Sequence, residues 1–244
     1  MGRRSVSPGS AVLTVGADLA VGEATEADPH PAAPATGQAG ERIGVLGGSF
    51  DPIHVGHLWL ATLAADALQL DRVLLMPAAR PPHKPRQRLT NAADRIGMVR
   101  LAINGDRRLD VSLIEMRRPG PSYTVDSLVE LRATYGEATA LFLIMAADTL
   151  AQIDGWREPD RILQLAEWAV GPRPGTPLPD PAALRARFGA AAARIHLLSG
   201  PSLDVSGSDL RRRVAAGRAI RYLVPEAVAS YISQRGLYRR RSRS

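Results

Sequence analysis

Apolar residues along this chain gather in two kinds of run, and the two kinds alternate. Short unbroken runs of strand type occur at Ile43-Gly44-Val45-Leu46, across 71–77 ending at Pro77, at Ala140-Leu141-Phe142-Leu143-Ile144-Met145 and at Glu167-Trp168-Ala169-Val170-Gly171. Shorter ones fall at Leu109-Asp110-Val111-Ser112 and Arg194-Ile195-His196-Leu197-Leu198. The run 140–145 has no polar face, the pattern of a central parallel strand buried on both sides. Between the strands lie stretches with helical signals, at 58–68, 92–103 and 123–132, and an alanine-rich one within 176–193. Thr90 or Asn91 can cap the helix at 92–103, where Ile96, Val99 and Ile103 share a face. Thr124 is placed to cap the next one. Two closing helices are expected at Ser206–Gly217 and Pro225–Gly236.

Alternating strands and helices predict an α/β fold, a doubly wound and mostly parallel sheet with a C-terminal helical part. One domain over residues 42–238 accounts for the pattern, with no internal repeat and no second core. Residues 1–41 differ in kind. They are rich in Gly, Ala, Pro, Ser and Thr, and Pro31-Ala32-Ala33-Pro34-Ala35-Thr36-Gly37 has linker composition. Arg3-Arg4 and the apolar 11–15 imitate a secretory signal, but Asp18 interrupts it and no small-residue cleavage site follows. A disordered extension, or a start codon set too far upstream, is the expectation. Residues 239–244 form a basic tail.

The chain of 244 residues carries a net charge of +7, with Lys84 its sole lysine. Such a balance suits nucleic acid, a membrane surface or acidic small molecules. Aromatic residues make up 5% and do not alternate with arginine, which argues against a base-stacking platform. No apolar run approaches the ~20 residues of a membrane span. The absence of cysteine removes thiolate chemistry and Cys-ligated zinc, and fits a reducing cytoplasm.

One stretch carries the chemistry: Gly47-Gly48-Ser49-Phe50-Asp51-Pro52-Ile53-His54-Val55-Gly56-His57, between the first strand and the first helix. The glycine pair lets backbone approach a ligand, and Asp51-Pro52 is a turn dipeptide before the helix opens. A helix N-terminus offers unpaired N–H groups to phosphate. His54 and His57, three apart, face the same way on a first helical turn, which suits a polyphosphate. They could be half of a metal site, but no cysteine or nearby His-rich segment completes one.

The stretch resembles the phosphate-binding signature of the His-x-Gly-His nucleotidyltransferases, and is most similar to that of bacterial nicotinate-nucleotide adenylyltransferases. The resemblance runs from about Ile43 to Tyr238. It includes Pro81-Pro82-His83-Lys84, Arg118-Pro119-Gly120-Pro121-Ser122-Tyr123-Thr124, the pair Asp148 and Trp156, the turn Arg173-Pro174-Gly175, and Val205-Ser206-Gly207-Ser208-Asp209-Leu210-Arg211. Two departures stand out. Gly207 and Ser208 occupy places where the family usually has Ser and Thr, and Ala146 a place where glycine is common.

The resemblance implies a Rossmann-like nucleotidyltransferase fold and adenylyl transfer from ATP to nicotinate mononucleotide. The mononucleotide phosphate, with a second pKa of about 6, attacks without a general base. His54, His57 and Arg211 are the implied catalytic groups. Gly47, Gly48, Ser49, Phe50, Ser206 and Ser208 join them in binding ATP, with Ser206 capping its helix and Arg211 forking onto the β- and γ-phosphates. Lys84 would hold the mononucleotide phosphate, and Thr124 and Asp148 would shape its pocket. Trp156 would stack on the pyridine ring, though a buried core Trp fits the sequence equally well. Mg²⁺ is expected on the ATP phosphates, with no protein cage. The implied partners are ATP and nicotinate mononucleotide in the cytoplasm, without nucleic acid or membrane; homo-oligomerisation is left open.

Three alternatives are weighed. The substrate could be nicotinamide mononucleotide, or both mononucleotides. His-Val-Gly-His also resembles the first signature of class I aminoacyl-tRNA synthetases, but their second signature needs lysines flanking Met-Ser, which a chain with one lysine at position 84 lacks. A non-enzymatic nucleotide- or nucleic-acid-binding protein would show salt-dependent retention on DNA without ATP turnover.

Overall fold

The structure, a computed structural model, describes residues 40–82 and 89–239. Six strands form its sheet: β1 (Arg42–Gly48), β2 (Arg72–Pro77), β3 (Leu109–Val111), β4 (Ala140–Ala146), β5 (Glu167–Gly171) and β6 (Ile195–Leu197). Their order is β3-β2-β1-β4-β5-β6, and every neighbouring pair is parallel. The sequence pattern predicted a mostly parallel sheet; the described strands are parallel throughout.

Successive side chains along a strand leave opposite faces, so a sheet covered on both sides needs apolar residues at every position. In β4, Leu141, Leu143 and Met145 enter one core cluster while Phe142 and Ile144 enter the other. In β2, Leu74 and Met76 part in the same way from Val73 and Leu75. One face carries α1 (Val55–Ala67), α2 (Ala92–Ile103), α8 (Gly207–Ala215) and α9 (Glu226–Gln234). The other carries α4 (Thr124–Tyr135), α6 (Pro159–Leu165) and α7 (Pro181–Phe188). The short α3 (Ile114–Arg117) and α5 (Ala147–Leu150) follow β3 and β4.

Several local expectations are corrected. The N-cap of α4 is Tyr123, and Thr124 is the first helical residue rather than the cap. On α2 the buried residues are Asp94, Arg95, Met98, Val99 and Ile103, while Ile96 is only half-buried. The alanine-rich helix divides, because Gly189 at φ 57 stops α7 and the chain continues as a 3-10 helix over Gly189–Arg194. Asn91 caps α2 by accepting from the Asp94 N–H at 2.7 Å. Glu41, assigned to the extension, is tied to the sheet. Its carbonyl accepts from the Ala140 N–H at 2.8 Å, and its carboxylate pairs with Arg72 at 2.8 Å. Of the remaining extension, Met1 to Ala39 lie outside the described residues, as do Arg240 to Ser244 of the tail.

Among the described residues, no helix is long and apolar enough to cross a membrane.

Candidate active site

The sheet order reverses between β1 and β4, and in doubly wound folds ligands bind beyond the carboxyl ends of the strands at such a point. A cleft of about 430 Å³ opens there. Gly47, Gly48, Ser49, Phe50, His54, His57, Ser206, Ser208, Arg211, Thr124, Asp148 and Trp156 all line it. Every site residue read from the sequence is therefore in one place, except Lys84, which lies outside the described residues.

Two loops form the cleft floor. The loop leaving β1 is held beside the loop leaving β2 by Arg95 of α2, whose Nη1 donates to the Ser49 carbonyl at 2.8 Å and the Ala78 carbonyl at 2.9 Å. Its Nε donates to the Thr90 carbonyl at 3.1 Å. Arg95 is buried, and burial lowers its pKa from the ordinary arginine value, against which the Asp51 charge acts. Phe50 takes a left-handed φ of 46 and buries its ring, meeting His57 edge-on with ring centres 5.0 Å apart. The residue belongs to a core cluster and also lines the cleft. Asp51 and Pro52 are joined by a cis peptide bond.

His54 is the N-cap of α1, with extended backbone, and His57 is the third helical residue. The two rings do face the same way, stacked with centres 3.7 Å apart. The His54 N–H donates to His57 Nδ1 at 3.3 Å, so the neutral His57 ring carries its proton on Nε2. His54 is 5% exposed, and its Nδ1 has no hydrogen-bond partner among the described residues. Burial, and secondarily the charge of Arg173, lower its pKa to about 4. The sequence reading made both histidines donors to phosphate; both line the cleft, and burial favours the neutral form of His54, which still carries one ring N–H.

That shift has a consequence for stability. Between pH 6.5, the ordinary histidine value, and about 4, the unfolded ring binds a proton that the native ring refuses. The stability from keeping His54 neutral is thus complete above pH 6.5 and is lost as pH falls towards 4. His54→Gln should flatten the decline in unfolding free energy between pH 7.5 and 5, by at most about 2 kcal/mol. Urea unfolding of both proteins at the two pH values checks it, and parallel slopes would contradict it.

The second phosphate-facing element is the N-terminus of α8. Ser206 is its cap, accepting from the Asp209 N–H at 3.2 Å. Arg211 donates through Nη2 to Ser208 Oγ at 3.1 Å and through Nη1 to the Asp51 carbonyl. Gly207 acquires a reason here. A Cβ at this position would stand 3.0 Å from the Asp51 carbonyl oxygen, so glycine lets α8 come up against the signature loop. Ala146, the other departure, sits at φ −90 and ψ 161, ordinary extended backbone that needs no glycine.

At the other end of the cleft, Asp148 Oδ1 accepts from the Thr149 N–H at 2.9 Å, and its Oδ2 lies 3.4 Å from Arg173 Nε. Arg173 also donates to the Val205 carbonyl at 3.3 Å, linking β5 to the approach of α8. Trp156 is half-buried on the cleft wall, whereas Trp168 is the fully buried core Trp. Glu115 was not foreseen. It is buried beside the cleft and accepts from Ser127 Oγ at 2.8 Å. Burial raises its pKa above the carboxylate range, against hydrogen bonds from Ser127 and Ser122. Ser122 Oγ in turn accepts from the Ala79 and Arg80 N–H groups at 3.0 and 3.1 Å, so this cluster fixes the wall ahead of Thr124.

A parallel sheet with order 3-2-1-4-5-6, a glycine-rich strand end and two helix N-termini at the reversal point define a nucleotide-binding α/β protein. Residues 45–213 match the family described as cytidylyltransferase-like. The chain is 47% identical over 198 residues to a probable nicotinate-nucleotide adenylyltransferase of Thermomicrobium roseum, covering 81% of this chain and 92% of that protein. It is 43% identical over 198 residues to one from Thermus thermophilus, covering 81% of this chain and 100% of that protein. With relatives this similar over most of its length, the chain belongs to the nicotinate-nucleotide adenylyltransferase family of cytidylyltransferase-like proteins. Its fold is similar to that of Plasmodium falciparum nicotinic acid mononucleotide adenylyltransferase complexed with NaAD, at a TM-score of 0.68 and 18% identity over 81% of this chain and 97% of that one.

Proposed function

We propose that this chain transfers the adenylyl group of ATP to nicotinate mononucleotide, giving deamido-NAD and pyrophosphate in NAD biosynthesis. The observation that carries the reading is the convergence of the His-x-Gly-His stretch, Arg211, Asp148 and Trp156 on one cleft, in a chain of this family. An oxygen of the mononucleotide phosphate attacks the α-phosphorus of ATP. The bond from that phosphorus to the oxygen bridging to the β-phosphate breaks, and pyrophosphate departs with the electron pair. The attacking phosphate is mostly dianionic at neutral pH, so no side chain need remove a proton.

The protein's task is alignment and charge stabilisation. His57 donates through Nε2–H to charge that grows on the transferred phosphate, while neutral His54 holds His57 in that tautomer through its backbone N–H. The amides opening α1 and α8, and the Arg211 fork, receive the departing pyrophosphate. Trp156, Thr124 and Asp148 hold the mononucleotide, with Lys84 on its phosphate. Among the described residues, no three His, Asp or Glu side chains converge to hold a metal ion. We read Mg²⁺ as part of the ATP substrate, where phosphates and water would hold it. We read the partners as these two nucleotides, without nucleic acid or membrane, and the location as the cytoplasm.

The acid should be the better mononucleotide. Steady-state kcat/KM for nicotinate and nicotinamide mononucleotides, measured in parallel, tests this; equal or better use of the amide would make the enzyme dual-specific or amide-specific.

A further inference from the structure

Asp51 is buried, with a side chain only 1% exposed, and it must find donors inside the protein. Among the described residues, its carboxylate has two. Tyr238, next to the end of the described chain, donates its O–H to Oδ1 at 2.6 Å, and the Thr90 N–H donates to Oδ2 at 3.2 Å. A third candidate waits at the edge. Arg211 Nη1 is held by the Asp51 backbone carbonyl and stands 4.0 Å from Asp51 Oδ2, beyond hydrogen-bond range. One carboxylate thus lies between a phenol that holds it and a guanidinium that does not quite reach it.

Tyr238 is built for this contact. It takes a left-handed φ of 63, which tyrosine rarely adopts, and its ring packs against the core beside α2. A phenylalanine would fill the same space, so the hydroxyl is what Asp51 requires. Burial, and the adjacent Asp51, push the phenol pKa far above its ordinary value, so the O–H remains a donor. The contact joins residues 187 positions apart.

We propose that Tyr238 is a positioning residue that keeps the Asp51 carboxylate off Arg211 and so leaves the Arg211 fork to a polyphosphate. This rests on reading Arg211 as the polyphosphate ligand of the proposed function. Among the described residues, Arg211 has a guanidinium within 4.0 Å of the Asp51 carboxylate, and without the phenol it is the donor placed to close on it. Closing that gap turns a long ion pair at 4.0 Å into a hydrogen-bonded one, offsets the charge of the guanidinium and turns it from the cleft. Gly207 leaves α8 pressed against the same carbonyl, so a small shift of the signature loop is passed to Arg211 directly.

The test is a set of binding measurements on the full chain, with Mg·ATP and with AMP, for wild type, Tyr238→Phe, Arg211→Ala and the double variant. Tyr238→Phe should weaken ATP about tenfold, the scale of one charge-assisted hydrogen bond, and leave AMP unchanged. In the Arg211→Ala background it should weaken ATP no further. Asp51→Asn added to Tyr238→Phe should bring ATP affinity back towards wild type, because a neutral amide does not draw in a guanidinium. A merely structural tyrosine would weaken ATP and AMP together, add to the Arg211 loss and gain nothing from Asp51→Asn; any of these results overturns the proposal, as does unchanged ATP affinity in folded Tyr238→Phe. If wild type binds ATP no better than AMP, the proposal falls with the role of Arg211. If it binds ATP more tightly but releases no pyrophosphate with mononucleotide, the proposed function fails while the binding cycle still decides the role of Tyr238.

Discussion

His57→Ala lowers kcat for adenylyl transfer about 10²–10³-fold, the loss expected on removing one preorganised donor to developing charge. ATP affinity falls far less, because the interaction strengthens mainly in the transition state. The geometry also forecasts a secondary cost. His57 Nδ1 accepts the His54 N–H at 3.3 Å, and its ring stacks on His54 at 3.7 Å. The variant therefore melts somewhat lower than wild type while keeping its fold, since the ring touches one core cluster at Phe50 but belongs to neither cluster. Measuring kcat, both KM values and the melting temperature on one preparation separates catalysis from packing. A well-folded variant with near-normal kcat contradicts the role given to His57.

Arg211→Ala produces a different profile, with kcat/KM for ATP down about 10³-fold, as for other arginines that clamp a phosphoryl group. Both KM for ATP and kcat move, because the fork binds the ground-state triphosphate and the departing pyrophosphate. KM for the mononucleotide stays close to wild type. Arg211→Lys recovers only part of the loss, since an ammonium cannot donate in fork geometry to the Asp51 carbonyl, Ser208 Oγ and a phosphate together. Full recovery with lysine would reduce Arg211 to a point charge, and an unchanged kcat/KM in Arg211→Ala would remove it from the site.

The sheet was legible because of how it is buried. A strand covered on both faces must be apolar at every position, and residues 140–145 show that without ambiguity. The signature stretch was legible because its glycines, turn and histidines are contiguous. Four-residue helices such as Ile114–Arg117 and Ala147–Leu150 were not, being too short for any period to show. Apolar periodicity found Val99 and Ile103 on the buried face of α2 but not the whole of that face. It weighed Ile96 and passed over Asp94 and Arg95, which are buried because each finds polar partners elsewhere. Asp94 holds Tyr231 Oη of α9 at 2.8 Å and Nε of Arg235, just past that helix, at 3.1 Å, and Arg95 holds a carbonyl 46 residues back. Contacts of that sequence separation leave no local signal. Asp51 and Tyr238, 187 positions apart, are the extreme case; Glu115 has its partner Ser127 only 12 positions on, and its burial shows in the folded wall.

The central claim is that this cleft moves an adenylyl group from ATP directly onto a mononucleotide phosphate. Its most direct measurement incubates the purified full chain with Mg²⁺, α-labelled ATP and nicotinate mononucleotide, then follows pyrophosphate and labelled dinucleotide together. The account predicts that the two appear in equal amounts, that all the transferred label is in deamido-NAD, and that none is bound to protein after quenching. Absence of pyrophosphate above the mononucleotide-free control, or release of inorganic phosphate without labelled dinucleotide, would contradict it.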